Sequence, residues 1–201
     1  MTKDPLMSLW TLALYLLPCI AYAGEWHVDK TATNNRVEFT SEVVALTFGG
    51  MTDKIDGYLY WEGEELFEKR SQFLFEVELA SLYTGIGKRD RDMREVLDTK
   101  TWPKAVFKGK ITSALQDSVA QHYTAIAGGI FTIHGVSKKM DVPVRVVLGK
   151  DQSTIAADFV VRLEDHHIEA PSLTAFVKVS EEVAVSVLFE MKHIKKGGNE
   201  K

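Results

Sequence analysis

The chain of 201 residues holds a single cysteine, Cys19. That cysteine lies in a leader-like segment, so a disulfide framework is excluded for the remainder and stability has to come from a packed core. Recognisable catalytic machinery is missing as well. The sequence contains no nucleophile elbow, phosphate-binding loop, histidine-glutamate zinc motif or glycine-rich dinucleotide turn. Isolated acids such as Glu38, Asp53 and Asp56 read as solvated strand faces and turns, so the chain is expected not to be an enzyme. An excess of one charge is also lacking. With 24 Lys and Arg against 28 Asp and Glu, intermingled and summing to −4, there is no electrostatic footprint for nucleic acid or an anionic membrane surface. No Pro/Ser-rich linker, repeat or low-complexity tract divides the chain, which points to one domain.

A long hydrophobic run is absent too. The apolar stretch between Leu6 and Leu17 falls short of the ~20 residues a spanning helix needs, and Pro18 interrupts it. Lys3 before it and Ala21-Tyr22-Ala23 after it describe a secretory signal peptide over residues 1–23, cleaved before Gly24. The mature protein is then periplasmic or secreted. Leu17-Pro18-Cys19 lacks the small residue expected before a lipidated cysteine, so the exported chain is expected to be unlipidated. At the other end, residues 195–201 carry no apolar side chain and are expected to be a disordered tail. The folded domain is placed at residues 24–194.

What the domain does have is a beat of two. Phe73, Phe75, Val77 and Leu79 alternate with Leu74, Glu76, Glu78 and Ala80, a period that sends one set to one face of a sheet. The same beat recurs at Val37, Phe39, Ser41, Val43, at Ile55, Gly57, Leu59, Trp61, at Val142, Val144, Val146, Leu148, at Ile155 to Leu163 and at Val183 to Met191. Strands are expected at 25–30, 35–44, 54–62, 71–80, 104–115, 121–133, 139–149, 153–164 and 181–193. The period turns helical only around Asp90 to Leu97, where Met93, Val96 and Leu97 are spaced to cover one end of the sheet. A weaker helical or irregular patch is expected at Val43 to Phe48 ahead of Gly49-Gly50, and a loop at Asp165 to Thr174. The fold expected is an all-β, extended antiparallel barrel of about eight strands. Barrels of that size either fill with their own side chains or hold one small ligand.

Two long motifs carry a family resemblance. The first runs from Ser81-Leu82-Tyr83-Thr84-Gly85 through Arg89-Asp90 to Thr101-Trp102-Pro103-Lys104-Ala105-Val106-Phe107. The second is Phe131-Thr132-Ile133-His134-Gly135-Val136-Ser137-Lys138. These resemble the YceI family, with its Ser-x-x-Thr-Gly turn, Arg-Asp pair opening a short helix, aromatic-Pro strand start and Thr-x-x-Gly-Val-Thr-Lys turn. Trp26-His27-Val28-Asp29 and the run from Gly49 to Leu59 fit as well, so the likeness spans Trp26 to Met191. One stretch departs from it. Where the family has Arg-x-Asp-aromatic-Gly, this chain reads Arg162-Leu163-Glu164-Asp165-His166-His167-Ile168. The resemblance implies a lipocalin-like barrel enclosing a long apolar ligand, with isoprenoid lipids or fatty-acid amides as the ligand class.

The candidate ligand-binding residues are the inward set Phe73, Phe75, Val77, Leu79, Val142, Val144, Val146, Phe159, Val185, Val187 and Phe189. Arg89, Asp90 and Met93 stand at the helix, where two readings are open. Arg89 can hold a polar head group, even a pyrophosphate in bidentate fashion. Alternatively Asp90 or Asp92 caps the helix while Arg89 pairs with a neighbouring acid. The histidines His27, His122, His134, His166, His167 and His193 lack the spaced partners of a metal site, so neither metal nor cofactor is expected. The sequence therefore reads as an exported carrier, reservoir or scavenger of a long isoprenoid, fatty acid or fatty amide, with a homodimer open. The rival readings are an enzyme using the barrel as a substrate pocket, and an interaction protein whose core is self-filled.

Overall fold

The computed structural model describes residues 24–43, 46–62, 70–174 and 177–194. The expected signal peptide at 1–23 and tail at 195–201 lie outside the described residues. Among the described residues there are eleven strands: β1 (Gly24–Val28), β2 (Arg36–Val43), β3 (Leu46–Thr52), β4 (Ile55–Trp61), β5 (Gln72–Glu78), β6 (Lys104–Gln116), β7 (His122–Ile133), β8 (Val136–Val147), β9 (Gln152–Arg162), β10 (Ser172–Thr174) and β11 (Val177–His193). All pairings are antiparallel. Eight of the strands close a ring in the order β1-β4-β5-β6-β7-β8-β9-β11 and back to β1. The period of two makes that ring amphipathic in one sense throughout, with apolar side chains inward and ion pairs such as Arg145–Asp158 (2.9 Å) and Arg162–Glu182 (2.7 Å) outward. A transmembrane barrel has the opposite sense, with its apolar band facing lipid.

Strand β11 organises the closure. Along one edge it pairs with β9 from Glu182↔Arg162 to Lys192↔Gln152. Along the other it pairs first with β2, from Val179↔Val43 to Leu188↔Arg36, and then with β1 at Met191↔Val28 to His193↔Trp26. The hand-over between β2 and β1 is clamped by buried Asn35, whose Nδ2 donates to the Asp29 carbonyl at 2.7 Å. Its Oδ1 accepts the Glu190 N–H, also at 2.7 Å. Two backbone groups that leave the ladder at that point are thereby satisfied.

The structure corrects the sequence expectations at several elements. The patch at Val43 to Phe48 is not helical: β3 begins at Leu46 and pairs with β2, while residues 44–45 lie outside the described residues. Gly49-Gly50 is not a breaker but the reason β3 fits. A Cβ on Gly49 would meet the Phe39 carbonyl oxygen at 2.6 Å, and one on Gly50 would meet the Tyr83 carbonyl oxygen at 2.8 Å. The expected loop at 165–174 contains a 3-10 turn (Glu164–His166) and the short edge strand β10, tolerated next to Pro171 because an edge needs no ladder donor there. The strand expected to reach Ala80 stops at Glu78 and gives way to a 3-10 turn (Leu79–Ser81). The helix, α1, spans Gly87–Val96 and starts earlier than expected, just past Gly85 at φ +83°.

The two ends of the barrel differ. At one, Trp26 and Trp61 stack with ring centres 6.3 Å apart and planes 6° from parallel, both buried, above Met191 and Val28. At the other, α1 lies across the opening. Leu97 joins Leu79, Leu82, Ala105, Phe131 and Ile168 in a second apolar cluster, with Met93 and Val96 packed against it. Burying each side chain of that size is worth about 1.5–3 kcal/mol, enough to hold a short helix in place.

Candidate functional site

Between the indole plug and α1 lies a cavity of about 730 Å³. Every residue of the candidate ligand-binding set lines it, from Phe73 on β5 to Phe189 on β11, whereas Ile55, Trp61, Leu148 and Met191 of the same alternation pack in the core beside it. Phe75, Val77, Phe159, Val185 and Val187 face inward yet stay only half-buried, because the lumen beside them is open. Phe75 and Phe159 thus line the space rather than close it, and the self-filled core is corrected. Sequence reasoning did not single out the further lining residues Phe48, Leu82, Phe107 and Phe131. Phe107 and Phe131 sit on the same two-residue beat of β6 and β7, and that beat was the signal for them. The wall forms an aromatic run, with Phe73–Phe107 ring centres at 4.9 Å and Phe75–Phe189 at 5.0 Å.

The mouth is built from three pieces: α1, the part of the β2–β3 hairpin around Ser41, Thr47 and Phe48, and the segment from Leu163 to Pro171. Its polar groups are few. Lys88 and Asp92 pair with each other on the exposed face of α1 at 2.6 Å, one helical turn apart. Arg89 donates from Nη2 to the Thr84 carbonyl at 2.8 Å and lays its guanidinium 5.2 Å from the centre of the Phe48 ring. Among the described residues it forms no ion pair, which corrects the expected pairing with an acid. Met93 lines the cavity, as the helical spacing indicated.

Asp90 is not the helix cap either, and Asp92 is not. The N-cap is Ile86, with no side-chain hydrogen bond. Buried Asp90 instead reaches back over the turn, accepting the Thr84 N–H at 2.9 Å and the Thr84 hydroxyl. The Thr84 hydroxyl, opposed by desolvation and aided by the Thr84 N–H, Arg94 and Arg89, holds the Asp90 carboxyl below the usual carboxylate range. Its charged neighbours are Arg94 first and then Arg89.

The histidines are dispersed. Among the described residues, no three His, Cys, Asp or Glu side chains gather as a metal site. His166 and His167 lie in and just after a 3-10 turn, not on a strand. His166 is buried edge-on to Phe131 with ring centres 5.4 Å apart, its Nδ1 3.1 Å from the Val136 carbonyl oxygen. Burial pushes it below the ordinary imidazole range. His134 and Gly135 both have positive φ in the two-residue β7–β8 turn, as a tight antiparallel hairpin requires.

One further group was not singled out. Ser41 occupies an inward position of β2, is 3% exposed, lines the cavity and has no hydrogen-bond partner for its hydroxyl. The signal was a hydroxyl on an otherwise apolar beat, Val37, Phe39, Ser41, Val43.

Comparison with solved structures finds the same architecture. One similar structure is that of BcnA from Burkholderia cenocepacia, at TM-score 0.65 and 17% identity over 81% of this chain and 98% of that one. Another is a polyisoprenoid binding domain from Saccharophagus degradans implicated in plant cell wall breakdown, at TM-score 0.65 and 18% identity over 84% and 98%. At such identities the likeness is one of fold. A search of curated protein sequences finds no match. The YceI-like domain model, however, matches residues 26–191, from the indole plug through α1 to the end of the closing strand, and the chain belongs to the YceI-like family.

Proposed function

We propose that this protein is exported and carries a long apolar molecule, an isoprenoid, fatty acid or fatty amide, without chemistry of its own. The observation that supports this most directly is the 730 Å³ apolar cavity. A methylene is about as bulky as a water molecule, whose share of liquid volume is about 30 Å³, so a cavity of 730 Å³ matches roughly two dozen chain carbons. That favours an extended lipid over a compact metabolite. About ten buried methylenes gain roughly 8 kcal/mol before ordering costs, the scale of micromolar affinity. The likeness to a structure described as polyisoprenoid binding supports the same ligand class.

Organic extraction of protein purified from its native compartment, followed by mass measurement, is expected to release such a lipid. Delipidated protein should then rebind long-chain isoprenoids or fatty amides. No binding below about 100 μM, equivalent to about −5.5 kcal/mol, would remove the carrier function and leave only the barrel. N-terminal sequencing of the same material should read from Gly24; a retained Met1 or an acylated Cys19 would overturn the export reading.

A further inference from the structure

Resting on the carrier reading, we infer that the barrel wall holds a second binding compartment, an opening between β8 and β9 that takes the far end of an isoprenoid chain too long for the lumen. The opening is a gap in the ladder. Strand β8 pairs with β7 from His122↔Val147 to Ile133↔Val136, and β9 pairs with β11 as far as Arg162↔Glu182. Among the described residues, β8 and β9 themselves pair only from Val147↔Thr154 to Val144↔Ala157. The next β8 residue in register is Pro143, which has no N–H to carry the ladder on. The two strands part there.

A cleft of about 380 Å³ occupies the parting, lined from β8 by Lys138, Lys139 and Met140 and from β9 by Val160, Val161 and Arg162. Successive residues of a strand point to opposite sides of a sheet. A cleft touching consecutive residues of both strands therefore runs through the thickness of the wall instead of lying on its surface. Val161 lines both this cleft and the apolar lumen, so the two spaces meet at that side chain. The cleft has apolar walls to offer a chain: Met140 packs against both core clusters, and Val160 is large, apolar and 51% exposed. The cations at its rim add their alkyl stems. An open strand edge can also take a protein strand, but β8 carries the residues that prevent it, Pro143 and the exposed Lys138 and Lys139. Lys138 is in step with Met140 and Val142 on the inward side of β8, and lies 3.8 Å from Asp165. By the measure of about 30 Å³ per chain carbon, the cleft adds room for about a dozen carbons to the two dozen of the lumen.

The test compares geranylgeraniol, whose four isoprene units fit the lumen, with heptaprenol, whose seven units need both compartments. Binding to delipidated protein is read by displacement of a fluorescent fatty-chain probe. Val160 lines the cleft and not the lumen, so Val160→Glu alters one compartment alone. It should weaken heptaprenol about ten-fold, the worth of roughly two buried methylenes, and leave geranylgeraniol and the ligand-free melting temperature unchanged. Val160→Ile should keep the parent affinities. In the parent protein, the Met140 methyl resonance should move with heptaprenol and stay in place with geranylgeraniol. Equal effects of Val160→Glu on both prenols, or a Met140 methyl indifferent to chain length, overturns the second compartment. If geranylgeraniol binds and heptaprenol does not, only the second compartment falls. If neither prenol nor oleamide binds, the carrier reading falls first and the compartment with it.

Discussion

The carboxylate of Asp90, four residues into α1 by way of Ile86, holds the Thr84 backbone N–H at 2.9 Å and the Thr84 hydroxyl as well. The Ser-x-x-Thr-Gly turn and the Arg-Asp pair are thus one device. The acid folds the turn back on the helix, and the helix then covers the barrel. Because Asp90 is held below 3.8 in the folded protein, its contribution is fully present above that value and is lost as pH falls through the folded value. Asp90→Asn should therefore be less stable near neutrality and lose less on acidification below about pH 4 than the parent protein. Chemical denaturation across that range checks it; parallel acid limbs would remove the Asp90–Thr84 bond as a source of stability.

A bulkier wall should empty the cavity without harming the fold. Val185 is half-buried on β11, opposite Phe159 on one side and Phe39 on the other. In Val185→Phe the added ring volume displaces about two methylenes of ligand, roughly 1.6 kcal/mol or about ten-fold in affinity. The melting temperature of ligand-free protein should hold or rise, since the ring enters open space rather than a packed core. Weaker chain binding with an intact melt is the expected result. Undiminished binding would place the ligand elsewhere.

His166 sets a second pH dependence, nearer neutrality. Its folded value lies below 6.5, mainly through burial, with Asp165, Lys138 and His167 as its charged or titratable neighbours. Folding favours the neutral ring, so its stabilisation is complete above 6.5 and declines as pH drops from there toward the folded value. Between about pH 7.5 and about pH 5 the parent protein should lose stability that His166→Gln does not lose. Equal slopes in thermal melts would assign the dependence to other groups.

The alternation of apolar residues made strands, inward faces and closure readable, because a period of two admits one arrangement once every strand is greasy on a single side. Phe73, Val144 and Phe189 reach the cavity wall for that reason alone. Strand β3 was hidden because Gly49 and Gly50 punctuate the sequence as a turn would, and only the approach of Phe39 and Tyr83 shows why they are glycines. The helix motif was legible but its wiring was not. Arg89 binds a backbone carbonyl and Asp90 a backbone N–H, partners that carry no side-chain signature. Whether the interior stands open is a property of ring geometry, and no local pattern reports it.

The long strand β11 follows all its partners in the chain, yet β9 on one edge and β1 and β2 on the other wait for it. Until that segment is synthesised and free to pair, the run β1-β4-β5-β6-β7-β8-β9 is a curved sheet with two open edges, the β2–β3 hairpin has no ladder to it, and no volume is enclosed. The cavity therefore comes into being last, and a nascent chain halted before Val177 exposes the very surfaces that the finished ring conceals.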